Sequence, residues 1–260
     1  SGSLDLFVIH VFRTRTFPGR DGRLGLGLPI RTDETYASGA GRYRTDVAVR
    51  WSRSIGGIDM GVHHFSGTGR EPMLVPVPGP DPTIAALRPH YVTIDQSGVD
   101  AQLVSGDFML KVEAIRRSGF GPSYLAGTLG LERTMVGVLG TRADVGMVLE
   151  YMYDERGDAA TTVLEHDVAL GARWRMNDMF DTEALVGFIW DTETSERLFS
   201  LEASRRLSDT WRLNVEGRVF SGGDPMPGPT ATISAALDPD NKPGAWQSDD
   251  HIQIEFEKFF

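Results

Sequence analysis

His64 and Ser66 stand two residues apart in Val62-His63-His64-Phe65-Ser66-Gly67. A serine that attacks an ester carbonyl needs a base within hydrogen-bond reach, and an imidazole serves that role near neutral pH. Residues two apart on a strand point to one side, so this spacing sets nucleophile and base on a shared face. Ile58, Met60 and Val62 fall on the same face, so the pair would work against an apolar surface. No group that would orient His64 is identifiable from spacing, and an interfacial histidine is the plain alternative.

A second chemistry lies in charges that recur at every other position. In Trp211-Arg212-Leu213-Asn214-Val215-Glu216-Gly217-Arg218-Val219, Leu213, Val215 and Val219 share one face. Arg212, Asn214, Glu216 and Arg218 share the other, the period of a strand with one oily side. The same alternation puts Arg50, Lys111, Glu113, Arg117, Glu132 and Glu150 on polar faces in the first part of the chain. Farther on it adds Arg173, Arg175, Glu202, Arg206, Glu255 and Glu257. If the oily faces meet lipid, these charges line an interior. They either pair across strands and fill it or flank a water-filled path that biases which solutes pass. Guanidinium groups bind two oxygens of a carboxylate or phosphate at once, which makes anionic solutes the class expected for such a path.

Other motifs carry less. Gly25 and Gly27 lack the surrounding βαβ pattern of a dinucleotide site. Asp238-Pro239-Asp240-Asn241 suits a calcium loop and an ordinary turn equally. His63 and His64 point to opposite faces and the other histidines are scattered, so no metal site follows and no cofactor is implied.

The elements that must position these residues are strands. Alternating segments occur near 4–16, 43–55, 58–67, 90–104, 107–117, 123–133, 144–154, 166–177, 182–192, 196–207, 211–221 and 249–260. Short turns alternate with longer connections, of which 17–42, 68–89 and 222–248 are the longest. The 14 prolines fall in connectors or at strand starts, as the ladder's need for N–H donors requires. The apolar phase slips within 90–104, which predicts a bulge near Ser97-Gly98. Trp51, Phe108, Trp174, Trp211 and Phe260 gather near one set of strand ends, and Phe17, Tyr43, Tyr151, Tyr153, Trp190 and Phe199 near the other. Two aromatic girdles around an apolar belt mark a membrane barrel.

Composition narrows the classes. The 260 residues carry a net charge of −10 and no cysteine. That excludes a disulfide scaffold and thiolate chemistry, and it argues against a nucleic-acid partner. No apolar run is long enough for a transmembrane helix. Ser1-Gly2-Ser3 reads as a cloning remnant and 4–260 as a single domain.

The C-terminus reads His251-Ile252-Gln253-Ile254-Glu255-Phe256-Glu257-Lys258-Phe259-Phe260. Ile252, Ile254, Phe256 and the final Phe260 resemble the terminal strand of Gram-negative outer-membrane proteins, whose closing aromatic is read by the barrel-assembly machinery. The resemblance to porin-like barrels implies an all-β, antiparallel, up-and-down transmembrane barrel of about twelve strands in the outer membrane. Its function would be passive passage of small hydrophilic solutes, anionic ones included, with lipids and the assembly machinery as partners. That reading is not an enzyme. Two others stay open. The His64/Ser66 pair resembles outer-membrane phospholipases and lipid A deacylases, although Gly67 stands where those families usually have Asn. A plugged, non-conducting barrel with ligand-binding loops is the third.

Overall fold

Alternation of apolar and polar side chains suits a pleated strand whose two faces meet different surroundings, and the chain is almost wholly strand. The computed structural model describes residues 2–20, 28–80, 84–223 and 249–260. In chain order its strands are β1 (Ser3–Ile9), β2 (Thr35–Tyr36), β3 (Asp46–Ile55), β4 (Ile58–Thr68) and β5 (Met73–Pro78). There follow β6 (Ile84–Tyr91), β7 (Thr93–Ser105), β8 (Phe108–Ser118), β9 (Tyr124–Met135) and β10 (Asp144–Asp154). The last five are β11 (His166–Arg175), β12 (Glu183–Asp191), β13 (Arg197–Ser208), β14 (Trp211–Ser221) and β15 (His251–Lys258). Helix is confined, among the described residues, to single 3₁₀ turns at Gly41–Tyr43, Val138–Gly140 and Gly157–Ala159.

Twelve strands form one antiparallel sheet in the order β1, β3, β4 and then β7 through β15. Neighbours in space are thus neighbours in sequence, apart from the excursions that hold β2, β5 and β6. β1 and β15 are the edges, and no ladder joins them among the described residues. One end of the sheet carries tight turns. At Gly56 and Gly106 the backbone takes φ of +60° and +58°, conformations that glycine adopts without steric cost. The other end carries the long connections.

The twelve expected strands match the twelve of this sheet, with three corrections. The first ends at Ile9 rather than near 16, because the chain then turns to bury Phe12. The 68–89 connection is not a plain loop. It contains the β5–β6 hairpin, which with β2 makes a separate three-stranded sheet. Pro76, Pro78 and Pro89 lie within those short strands, so proline is not confined to connectors and strand starts; a small sheet of this kind tolerates the lost donors. The phase slip near 90–104 is not a bulge at Ser97-Gly98, where pairing with β4 and β8 runs unbroken. It arises at Val92, the single residue between β6 in one sheet and β7 in the other.

Apolar burial concentrates in the small sheet. Phe12, Leu87 and Tyr91 are almost fully enclosed, beside Ile84 and Ala86. Phe12 packs edge-on to Tyr91 at 4.6 Å between ring centres and to Tyr36 at 5.8 Å, and the Arg70 guanidinium sits 4.5 Å over Phe12. Burial and the nearby Glu34 carboxylate push the Tyr36 hydroxyl up to about 12. The large sheet does the reverse. Leu6, Val8 and Ile252 are each about three-quarters exposed, at 74%, 75% and 76%.

Candidate functional site

Directly paired residues of an antiparallel sheet share a face, so the register sorts every strand side chain. Starting from Arg50, the pairings His63, Gly98 and Ile115 follow on one face. The same face passes through Glu132, paired with Val148, and through Glu202, paired with Glu216 and thence Gln253. All of the expected lining residues, from Arg50 to Glu255, lie on it, with Glu257 opposite Arg212. The opposite face carries Trp51 and Val62 on β3 and β4. On β9 to β12 it carries Leu129, Tyr151, Val168 and Trp190. Trp174 belongs to it at the tight-turn end and Tyr153 toward the long connections.

The polar face is cross-linked by ion pairs. Arg50 grips Asp100 with two hydrogen bonds of 2.6 and 2.7 Å, although β4 lies between their strands. Gly61 makes that reach feasible, since a Cβ there would fall into the guanidinium and the carboxylate. Lys111 donates to Glu132. Arg117 donates to Gln96 at 2.8 Å and lies 3.4 Å from Glu71. Arg173 and Arg175 both reach Glu183, at 3.2 and 3.4 Å. Arg218 meets Glu216 at 3.1 Å and Glu202 at 4.0 Å, and Arg206 meets Asp181 at 3.2 Å. Apart from Arg212, whose Nε is enclosed without a hydrogen-bond partner, the basic groups that the spacing brought forward are engaged by carboxylates.

Strands β9 to β15 line a cavity of about 720 Å³. Glu132, Glu183, Glu202, Glu216 and Glu255 line it, with Arg173 as the facing cation. Arg133 also borders the space, but its guanidinium lies 5.0 Å over the Phe108 ring, and both residues sit on the other face. Among the charged residues of the cavity wall, acids thus predominate.

His64 and Ser66 do share the apolar face. The imidazole, however, is hydrogen-bonded through Nδ1 to Ser97 Oγ at 2.9 Å, its direct cross-strand partner on β7. Ser66 instead faces Asp95 in the register. Sequence separation hid this contact, because Ser97 lies 33 positions after His64. At the terminus, Ile252, Ile254 and Phe256 extend the apolar face opposite Gly217, Val215 and Leu213. Phe260 lies past the last strand and is fully exposed, with Lys258 4.9 Å from its ring centre.

No protein-family model matches the chain, and no curated protein or solved structure matches it. Geometry alone carries the functional reading.

One grouping was not legible from spacing. Glu165, Asp167 and Asp191 are all buried, and each offers a carboxylate oxygen within 4.8 Å of the other two. Asp167 and Asp191 are paired residues of β11 and β12, and Glu165 stands just ahead of β11. Like charges that close repel by about 3–4 kcal/mol per pair at an effective dielectric near 20. The signal in the sequence is Glu165-His166-Asp167, two acids on one face where a strand begins. Its third member comes from 24 residues on, a distance that only the register bridges. The Asp238–Asn241 motif lies outside the described residues.

Proposed function

We propose that this chain forms an outer-membrane channel through which small hydrophilic solutes diffuse, with cations favoured over anions. The observation that carries it is the 720 Å³ cavity, walled by five glutamates against Arg173, on the polar side of a sheet whose other side is apolar. Carboxylates in a pore lining favour cations. Glu132, Glu183, Glu202 and Glu216 share their charge with Lys111, Arg173, Arg175 and Arg218, while Glu255 forms no salt bridge among the described residues. The preference therefore rests on the excess of acids over bases in the lining.

The exposed face supports membrane insertion. A continuous apolar surface of twelve strands far exceeds the patches that water-soluble monomers leave open. Tyr153 pairs with His166, eight residues from Trp174 along β11, so the aromatic bands stand about 27 Å apart along the strand at ~3.4 Å per residue. A strand tilt near 40° brings that to roughly 20 Å, close to the height of an outer-membrane apolar band. Closure of β1 onto β15 is part of the proposal. With no native cysteine, cysteine pairs placed across the two edges should cross-link in the folded protein, and failure of every register would sink closure.

The primary experiment is conductance of the refolded chain in a planar bilayer under a salt gradient. Discrete steps with a cation-selective reversal potential are expected, and Glu202→Gln with Glu216→Gln should reduce that selectivity. A folded but silent protein overturns the channel, and anion selectivity overturns the cation preference.

The 2.9 Å contact between His64 and Ser97 supports a second reading, an esterase acting on membrane lipid. The imidazole would take the Ser97 proton as Oγ attacks the ester carbonyl and return it to the departing alcohol as the ester C–O bond breaks. Water would then release the acyl group from Ser97 as the free acid. Lipid-ester cleavage lost in Ser97→Ala but kept in Ser66→Ala is its expected pattern, and no turnover by the parent protein ends it.

A further inference from the structure

The long-connection end of the sheet holds a site that the channel reading does not use. The structure assigns a divalent-cation site to Glu165, Asp167 and Asp191, with calcium as the ion that fits. Two observations meet there. The first is the grouping of three carboxylates within 4.8 Å of one another. Ligands that a single calcium ion holds at about 2.3–2.6 Å lie at most about 5 Å apart. The second concerns Asp167 itself. It is 3% exposed, and its Oδ2 is enclosed without a hydrogen-bond partner. An ionised oxygen enclosed in that way is costly unless a cation or a donor reaches it. Among the described residues no Arg or Lys forms a salt bridge with Asp167 or Asp191.

The scaffold around the carboxylates is held by its own bonds. The Asp154 amide donates to the Glu165 carbonyl at 2.8 Å, and the Asp191 amide to the Glu196 carbonyl at 3.1 Å. Thr192 donates to the His166 carbonyl from its amide at 2.9 Å and from its hydroxyl at 2.6 Å. Asp191 Oδ1 accepts from the amides of Glu193 and Thr194, both at 2.6 Å. The backbone that carries the three carboxylates, and the Asp191 side chain, are therefore held by strand pairing and a tight turn before any ion arrives. Acid oxygens alone, without imidazole or thiolate, select a hard cation, and an irregular rim suits calcium better than the strict octahedron of magnesium.

The test uses the refolded full chain, stripped with EDTA and titrated with calcium chloride, magnesium chloride and terbium chloride. Terbium luminescence should rise with one site per chain and fall as calcium displaces the probe. The urea midpoint of unfolding should be higher in calcium than in EDTA. Asp167→Asn should weaken calcium half-saturation at least tenfold. In EDTA that variant should be no less stable than the parent, because one of three repelling charges has gone. Asp191→Asn, which keeps an oxygen for the turn amides, should behave alike, and Glu193→Gln should leave calcium binding unchanged. A parent midpoint equal in calcium and EDTA overturns the site, as does an Asp167→Asn chain that binds calcium like the parent. An equal response to magnesium overturns the choice of ion.

Discussion

Asp46 and Asp167 are both buried carboxylates at the same end of the sheet, 1% and 3% exposed, and their surroundings differ in kind. Around Asp46 the chain supplies cations and donors. Arg44 lies 2.7 Å away and Arg70 3.7 Å, while Thr68 donates from its amide at 2.9 Å and from its hydroxyl at 3.3 Å. Around Asp167 it supplies two more acids. Burial costs a carboxylate several kcal/mol unless its charge is met. Asp46 Oδ2 also lacks a hydrogen bond, but Arg70 stands 3.7 Å from it, so the first corner meets its charge from within. At Asp167 and Asp191 no Arg or Lys among the described residues does so. A buried acid is thus structural or ligand-seeking according to what its neighbours leave undone.

The contrast can be broken at its strongest point with Asp46→Ala. That change strips the carboxylate from two arginines and leaves the buried Thr68 amide without its acceptor. A loss of about 3–5 kcal/mol in unfolding free energy is expected from urea denaturation, and a loss below 1 kcal/mol would show the corner to be less demanding than its contacts imply. Asp167→Asn, measured in chelator, should have the opposite sign, a gain of about 1–2 kcal/mol from relieved repulsion. A loss in chelator would show that the unliganded acids hold the rim together.

Thr68→Val sharpens the first corner by removing the hydroxyl while keeping the amide bond. It should cost about 1 kcal/mol, and thermal scans beside Asp46→Ala would show whether the two effects overlap. The smallest effect belongs to Arg31 and Asp33, the same chemistry in the open. Arg31 Nε lies 2.5 Å from Asp33, and that hydrogen bond lowers the Asp33 carboxyl to about 2. A folded value below the unfolded one stabilises above pH ~4 and fades as pH falls toward 2. Because the pair is exposed, solvent screens it. Asp33→Asn should barely move the unfolding midpoint at pH 5 and not move it at pH 2.

Much of the large sheet was legible because period-two alternation is local. Arg212 through Val219 declare both faces within eight residues, and the register then carries those faces across the sheet. The small sheet was hidden for the opposite reason. β2 is two residues long and pairs in parallel with His90 and Tyr91, and Pro76 and Pro78 argue against a strand where one exists. The site was legible in composition but not in partnership. Spacing showed arginines at 173, 175, 206 and 218, but it could not show that Glu183, Asp181 and the Glu202–Glu216 pair hold them. It offered Ser66 to His64 because the two are near in sequence, whereas strand pairing delivers Ser97. The acid corner needed two strands and a loop end to meet, and no window along the chain contains all three.

The parallel pairing of β2 with β6 also orders the assembly of the molecule. Thr35 meets His90 across 55 residues, whereas β3 and β4 meet across the turn at Gly56-Gly57. Closing a long loop carries an entropy cost that a hairpin avoids, so the β3–β4 hairpin is expected to form first and the Phe12–Tyr36–Tyr91 cluster to close late. Pulsed hydrogen exchange during refolding should protect the amides of 46–68 before those of 84–91. Simultaneous protection would mean that the aromatic cluster collapses with the hairpin. A late-closing cluster makes the small sheet the last part of the chain to leave water, and the first to return to it when the fold loosens.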